Sequence, residues 1–222
     1  VTTVAIIAFR SGSKGVKHKN ARLVAGQSLW CWSLEAAQQS KVDCIIVTTD
    51  VLLSQVHEQL SDGDRVMLIR RPSDLATDTA NLDDALIHAV NYIPLPDDTT
   101  LAILQPTVPV RRPKLLDDCL DMFERFPGAK SLLTVNSLHY VWHGDSGKVL
   151  NPPRVNRQDM DSSQRVYHED GSVFIVRAGD LRRTRSRVVE PVVLFETEQT
   201  VDIDSEADME LAAYLLSRQV HI

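Results

Sequence analysis

The sequence predicts an α/β fold, a mainly parallel sheet with helices on both faces, and three observations carry that prediction. Short apolar runs rich in β-branched residues recur along the first half of the chain, segments with helical spacing lie between them, and the alternation persists to about residue 126. Strands covered on both faces read as continuous apolar runs. Val4–Ala8, Cys44–Val47, Arg65–Ile69 and Leu101–Leu104 have that character. Leu29–Ser40 and Asn81–Tyr92 have helical spacing, and in the second of these Leu82, Ala85, Leu86, Ala89 and Val90 share one face. Beyond residue 131 the alternation weakens. Ser131–Val135 and Gly171–Val176 predict strands, and the turn formers of Trp142–Gly147 predict a hairpin tip. Asn151–Gln164, with Pro152 and Pro153, has no clear period and reads as a binding loop or a mobile connection. A last helix begins near Ser205, where Ser205 and Asp208 form a capping box with Asp in place of Glu, and Met209, Ala212, Ala213 and Leu216 make its apolar stripe. The expected architecture is one Rossmann-like domain over residues 1–222 with a segment inserted at about 137–168. In such sheets ligands sit beyond the carboxyl ends of the strands.

At 222 residues the chain is long enough to bury a core without staples. Its three cysteines, Cys31, Cys44 and Cys119, are odd in number and form no Cys-x-x-Cys pair, which favours a reduced, cytoplasmic protein and leaves the nucleus open. No apolar run approaches the roughly 18–20 residues of a membrane helix, and the first residues lack the order of a signal peptide, so no membrane partner is expected. A net charge of −6 argues against a nucleic-acid partner. The distribution of charge says more than its sum. From Val1 to Arg22 there are Arg10, Lys14, Lys17, Lys19 and Arg22 and no acid, whereas from Val188 to Ser217 there are eight Asp or Glu and no Lys or Arg. Either the two ends suit an anion and a cation, or both are solvated charge faces.

Arg10-Ser-Gly-Ser-Lys-Gly15 follows the first strand directly, and glycines there let backbone amides approach phosphate oxygens while Arg10 and Lys14 supply charge. It is neither a Walker motif nor a Gly-x-Gly-x-x-Gly fingerprint, and a surface turn has the same composition. Val201-Asp-Ile-Asp204 alternates strictly, so in an extended strand Asp202 and Asp204 project together while Val201 and Ile203 face the core. Two such carboxylates suit Mg²⁺; the same pattern also describes a plain amphipathic edge strand. The histidines lack His-x₃-His spacing in a helix, and no Gly-x-Ser-x-Gly elbow is present, so neither zinc nor hydrolase chemistry is indicated. Trp30, Trp32 and Trp142 read as packing residues.

Ile6 to Asn20, with Arg10-Ser-Gly-Ser-Lys-Gly-Val at its centre and Lys19-Asn20 at its end, resembles the N-terminal signature of the acylneuraminate cytidylyltransferases. Further matches follow in the family's order: Ile46–Asp50, Arg71–Asp78, Leu104–Arg111, Arg157–Asp159, Tyr167–Phe174 and Val201–Asp204. Seven motifs in register are specific where one is not. Phe9, Ser11, Asn81 and Asp170 depart from the family pattern.

The resemblance implies a transfer of CMP from CTP to the anomeric hydroxyl of a sialic-acid-type nine-carbon 2-keto sugar acid, with Mg²⁺ or alternatively Mn²⁺ as cofactor. It implies that Arg10, Ser13 and Lys14 cradle the triphosphate, that Lys19 and Asn20 lie beside the nucleotide, and that Arg71 and Asn81 address cytidine. Gln105, Arg157 and Gln158 fall to the sugar, and Asp202 and Asp204 to the metal, so that Arg10, Lys14, Asp202 and Asp204 form the catalytic set. Two rivals stand beside this reading, a sibling enzyme using another ulosonic acid and a silent nucleotide-binding homologue; the Asp202/Asp204 pair counts against the second. Because residues 137–164 are hard to bury within one domain and family members commonly dimerise there, a homodimer is expected.

Overall fold

A computed structural model describes residues 1–13, 15–60, 65–138, 165–198 and 200–219, together with 141, 144, 146 and 148. In chain order the elements are β1 (Thr3–Ala8), β2 (Leu23–Val24), β3 (Gln27–Ser28), α1 (Leu29–Gln38), β4 (Cys44–Thr49), α2 (Leu53–His57), β5 (Val66–Arg70), α3 (Leu82–Tyr92), β6 (Thr100–Leu104), α4 (Leu115–Arg125), β7 (Ser131–Leu138), β8 (Val166–Arg177), α5 (Ala178–Thr184), β9 (Val192–Glu196) and α6 (Glu206–Gln219). The main sheet has seven strands in the order β5-β4-β1-β6-β8-β7-β9. β8 alone runs against its neighbours. The chain leaves β1 towards β4 and β5 and then returns to lay β6 on the other side of β1, which puts a topological switch point beside β1.

Alternation along β1 divides the core in two. Ala5 and Ile7 pack with Trp30, Leu34, Leu120 and Phe123 under α1 and α4, whereas Val4 and Ile6 pack with Leu86, Val90, Ile103 and Leu181 under α3 and α5. A third, smaller cluster joins Val16, Val24 and Leu29 to Ile203, Met209, Ala212 and Leu216. It seats α6 against the segment that follows β1, so both ends of the described chain share one core. Ile203 is fully buried, and burying such a side chain stabilises by about 2 kcal/mol.

The predicted strands and helices appear with shifts of a few residues at their ends, and two differences are larger. Val201–Asp204 is extended as expected but pairs with no strand among the described residues; a backbone bond from Ile203 N to Thr107 O at 2.8 Å anchors it. Val201 stays partly buried and Ile203 fully so while Asp202 and Asp204 are exposed, which keeps the predicted facing without strand pairing. β8 begins five residues before the predicted strand, because Val166–Glu169 continues the antiparallel pairing with β7 as far as Leu138. The expected hairpin tip and most of the inserted segment, including Trp142, lie outside the described residues.

Candidate functional site

The loops that leave the carboxyl ends of β1, β5 and β6 enclose a cleft of about 350 Å³ at the switch point. Arg10, Ser13, Lys19, Asn20, Arg71, Asn81, Gln105 and Asp204 all line it. Lys14, Arg157 and Gln158 lie outside the described residues. Asp202, two residues before Asp204, is exposed but does not line the cleft.

The loop after β1 is held by β4, Asn20 and Asp50. Phe9 N donates to Thr48 O at 3.1 Å, Asn20 Nδ2 donates to Arg10 O at 3.0 Å, and Ser11 N and Oγ donate to the two oxygens of Asp50 at 2.7 and 2.5 Å. Phe9 turns its ring into the core, stacked on Trp30 with centroids 5.1 Å apart, so this departure from the family pattern is a packing residue. The Arg10 guanidinium reaches across the cleft to Asp78 at 2.6 Å. Gly15 is required for a different reason from the one the sequence suggests. A Cβ there would lie 2.4 Å from the carbonyl oxygen of Asp204, so only glycine admits so close an approach.

Lys19 completes the junction of the two ends. Its ammonium donates to Ile203 O and lies 3.3 Å from Asp204 Oδ1. Lysine is mostly buried here whereas Asp204 reaches solvent. Thr107 O accepts from Ile203 N and the Thr107 hydroxyl bonds Asp202, an exposed residue whose carboxyl is nonetheless held above the ordinary range, chiefly by partial desolvation and next by the Asp204 charge. Asp208 accepts from Ser205 N at 2.8 Å and Ser205 Oγ at 2.7 Å, confirming the capping box that opens α6 immediately after the aspartates.

On the opposite wall Arg71 is 5% exposed and donates to Thr48 O at 3.1 Å. Burial pushes its guanidinium down; Asp50 opposes the shift and Arg10 adds to it. Among the described residues its Nε is buried without a partner, as is Oδ1 of Asn20. Buried polar atoms are nearly always bonded, so an orphan donor and an orphan acceptor on two residues of one cleft are exceptions to that rule. Asn81 accepts from Asp83 N at 3.0 Å and so caps α3, which explains how asparagine serves where the family pattern has Ser or Thr. Asp83, 8% exposed, is held by Arg187 at 2.9 Å.

Gln105 is clamped from behind. The buried Arg111 donates to Gln105 O at 2.7 Å, Ser33 Oγ at 3.1 Å and Ser172 O at 3.1 Å, and burial pushes its guanidinium down against the opposing charge of Asp170. Gly171, at φ +76°, has no Cβ because one would sit 3.0 Å from Gln105 Oε1. Asp170 accepts from Thr134 Oγ1, Thr197 Oγ1 and Ser172 N, so its departure from the family pattern is a buried structural hub. Asp50, Asp78, Thr107 and Arg111 had no role from sequence reasoning, although all but Thr107 end a motif at the close of a strand or loop, which is where ligand-facing groups of α/β sheets stand.

A switch-point cleft, a basic glycine-containing loop after the first strand and two carboxylates at its lip define a nucleotide-binding α/β protein of the nucleotidyltransferase type. A family model described as cytidylyltransferase matches residues 4–198, and the chain belongs to that family. It is 27% identical over 222 aligned residues to the N-acylneuraminate cytidylyltransferase of Escherichia coli O18:K1:H7, covering 94% of this chain and 51% of that protein. It is 29% identical to the CMP-N,N'-diacetyllegionaminic acid synthase of Legionella pneumophila, covering 96% and 95%. The chain thus spans about half the length of the first relative and nearly all of the second. A solved CMP:2-keto-3-deoxy-manno-octonic acid synthetase complexed with CTP shares the fold, with a TM-score of 0.72 at 17% identity, covering 99% of this chain and 100% of that one.

Proposed function

We propose that the protein transfers CMP from CTP to the anomeric hydroxyl of a sialic-acid-type nine-carbon 2-keto sugar acid and releases pyrophosphate. One observation carries the reading: the cationic loop after β1 and the Asp202/Asp204 segment, 184 residues apart for Lys19 and Ile203, touch at the lip of a single cleft. The anomeric hydroxyl gives up its proton to water as its oxygen attacks the α-phosphorus in line, the bond from that phosphorus to the bridging oxygen breaks, and the β- and γ-phosphates leave together as pyrophosphate. The protein's part is to position the reactants and offset charge. Arg10 and Lys14 meet the departing phosphates, Arg71 and Asn81 hold cytidine, and Gln105, Arg157 and Gln158 grip the sugar, the arginine facing its carboxylate.

The donor set at Asp202 and Asp204 fits a hard divalent cation. Among the described residues no group of three or more His, Cys, Asp or Glu could hold a metal alone, so the remaining positions would fall to phosphate oxygens and water, which is how Mg²⁺ binds. Bound there, Mg²⁺ or Mn²⁺ would neutralise phosphate charge and lower the pKa of a coordinated hydroxyl.

The protein works as a cytoplasmic homodimer through the segment at about 137–168. Support for the dimer comes from β7 and β8, whose pairing runs on to Leu138 and Val166 past the residues that β6 and β9 cover. Support for a reducing compartment comes from three free cysteines, of which burial pushes Cys31 up to about 11. No helix among the described residues is long and apolar enough to cross a membrane. The Legionella relative is named for a different sugar acid from the E. coli one, so the acceptor is settled by test. Pyrophosphate release from CTP is measured with N-acetylneuraminate, N,N'-diacetyllegionaminate and 2-keto-3-deoxy-octonate. The expected result is release with a nine-carbon acid; release with the eight-carbon acid alone would transfer the reading to the sibling enzyme, and release with none would favour the silent homologue.

A further inference from the structure

We infer that Asp78 is a positioning residue for Arg10, a counter-ion that the nucleotide's phosphates displace and that reclaims the guanidinium when pyrophosphate leaves. The inference rests on the proposed phosphate role of the loop after β1. Arg10 lines the cleft after β1, Asp78 follows the lining residue Thr77 ahead of α3, and the two meet at 2.6 Å through a guanidinium nitrogen and a carboxylate oxygen. The backbone around Arg10 is pinned on both sides. Asn20 holds its carbonyl, and Asp50 holds both the N–H and the hydroxyl of Ser11. The Arg10 side chain can therefore change partners by rotation while the loop stays in place. Exposure favours the exchange too, since the Arg10 side chain is 27% exposed and that of Asp78 is 47% exposed. A half-exposed pair is held weakly, and a carboxylate that reaches water loses little when this one contact is given up. A di- or triphosphate offers Arg10 more charge and a bidentate set of oxygens, so it wins the contest that one carboxylate oxygen loses. With pyrophosphate gone, Asp78 again satisfies Arg10. The acid on this lip therefore weakens pyrophosphate retention by competing for its cation.

The test is calorimetric titration of Mg²⁺-pyrophosphate into the wild type, Asp78→Asn, Arg10→Ala and the double variant. Asp121→Asn serves as a control that removes the same charge from the exposed side of α4, where it pairs with Lys41. Asp78→Asn keeps the volume of a half-exposed side chain, so the fold holds. It should bind pyrophosphate about three- to fivefold tighter, the scale of an exposed ion pair, and be inhibited by pyrophosphate in the same ratio. The control should match the wild type, and the double variant should bind no tighter than Arg10→Ala. Unchanged or weaker binding in Asp78→Asn, or a gain that survives the loss of Arg10, overturns the exchange. If Arg10→Ala weakens pyrophosphate binding while Asp78→Asn does nothing, the phosphate site stands and this inference alone falls. If Arg10→Ala binds as the wild type does, both fall.

Discussion

Asp202 has its pKa raised although the residue is exposed: partial desolvation of its carboxyl raises it most, the charges of Asp204 and Asp208 add to the shift, and the Thr107 hydroxyl and the Lys19 charge act the other way. A carboxyl whose folded pKa lies above its unfolded one destabilises the fold wherever both states are ionised, and that penalty fades as pH falls through the raised value towards the ordinary one. Asp202→Asn in the absence of metal should therefore melt at or above the wild-type temperature at pH 7, and the difference should close in acid, below the usual aspartate range. A variant that melts several degrees lower at pH 7 would show that the carboxylate is a structural partner instead. This placement was half legible in the sequence. Strict alternation of Val201, Asp202, Ile203 and Asp204 gives the facing, because an extended chain turns successive side chains to opposite sides whether or not it pairs. What alternation cannot give is the neighbour: the contact that brings Asp204 against Gly15 and Lys19 arises from packing between opposite ends of the chain.

At the scale of elements, α3 links the fold to the cleft. Its N-terminus is fixed by the Asn81 side chain and by the Asp83–Arg187 and Asp84–Arg185 pairs, so Asn81 both caps the helix and lines the cleft. Asn81→Ala should destabilise by about 1 kcal/mol in denaturant unfolding and raise the KM for CTP, whereas Asn81→Ser, which keeps an acceptor at the cap, should restore stability. Equal stability of wild type and Asn81→Ala would mean that the cap adds nothing. The elements that sequence reading found are those with strong periodicity or long apolar runs, such as β1, β4, β6 and α3. It missed α5 and β9. α5 is a seven-residue helix with few apolar positions, and β9 is a short edge strand inside an acidic stretch, so each takes its conformation from what it packs on. Asn20, Arg71 and Gln105 were reachable only through family resemblance, since no spacing rule brings three separate loops to one cleft.

At the scale of the molecule, the basic beginning and the acidic end of the sequence, which by composition could have been two solvated faces, converge on one cleft and are joined by Lys19–Asp204 and Arg22–Glu206. The hairpin arms of β7 and β8 extend past the sheet with Leu138, Val166 and Tyr167 only partly buried, and a second copy that covers them would make the protein a dimer. Sedimentation should accordingly give twice the 24.8 kDa chain mass at micromolar concentration; a fully active monomer would remove the dimer. The convergence of the two ends matters most for the proposed chemistry, because it sets Asp204 beside the loop proposed to hold the phosphates of CTP. Phosphorus NMR of CTP mixed with a nine-carbon sugar acid at limiting Mg²⁺ tests this most directly, with the wild type compared with Asp202→Asn/Asp204→Asn. The wild type should convert CTP to equal amounts of a CMP-sugar phosphodiester and pyrophosphate, and the folded double variant should do so at least ~10²-fold more slowly. A double variant that folds and turns over at the wild-type rate would contradict the account, and so would a wild type that leaves CTP intact.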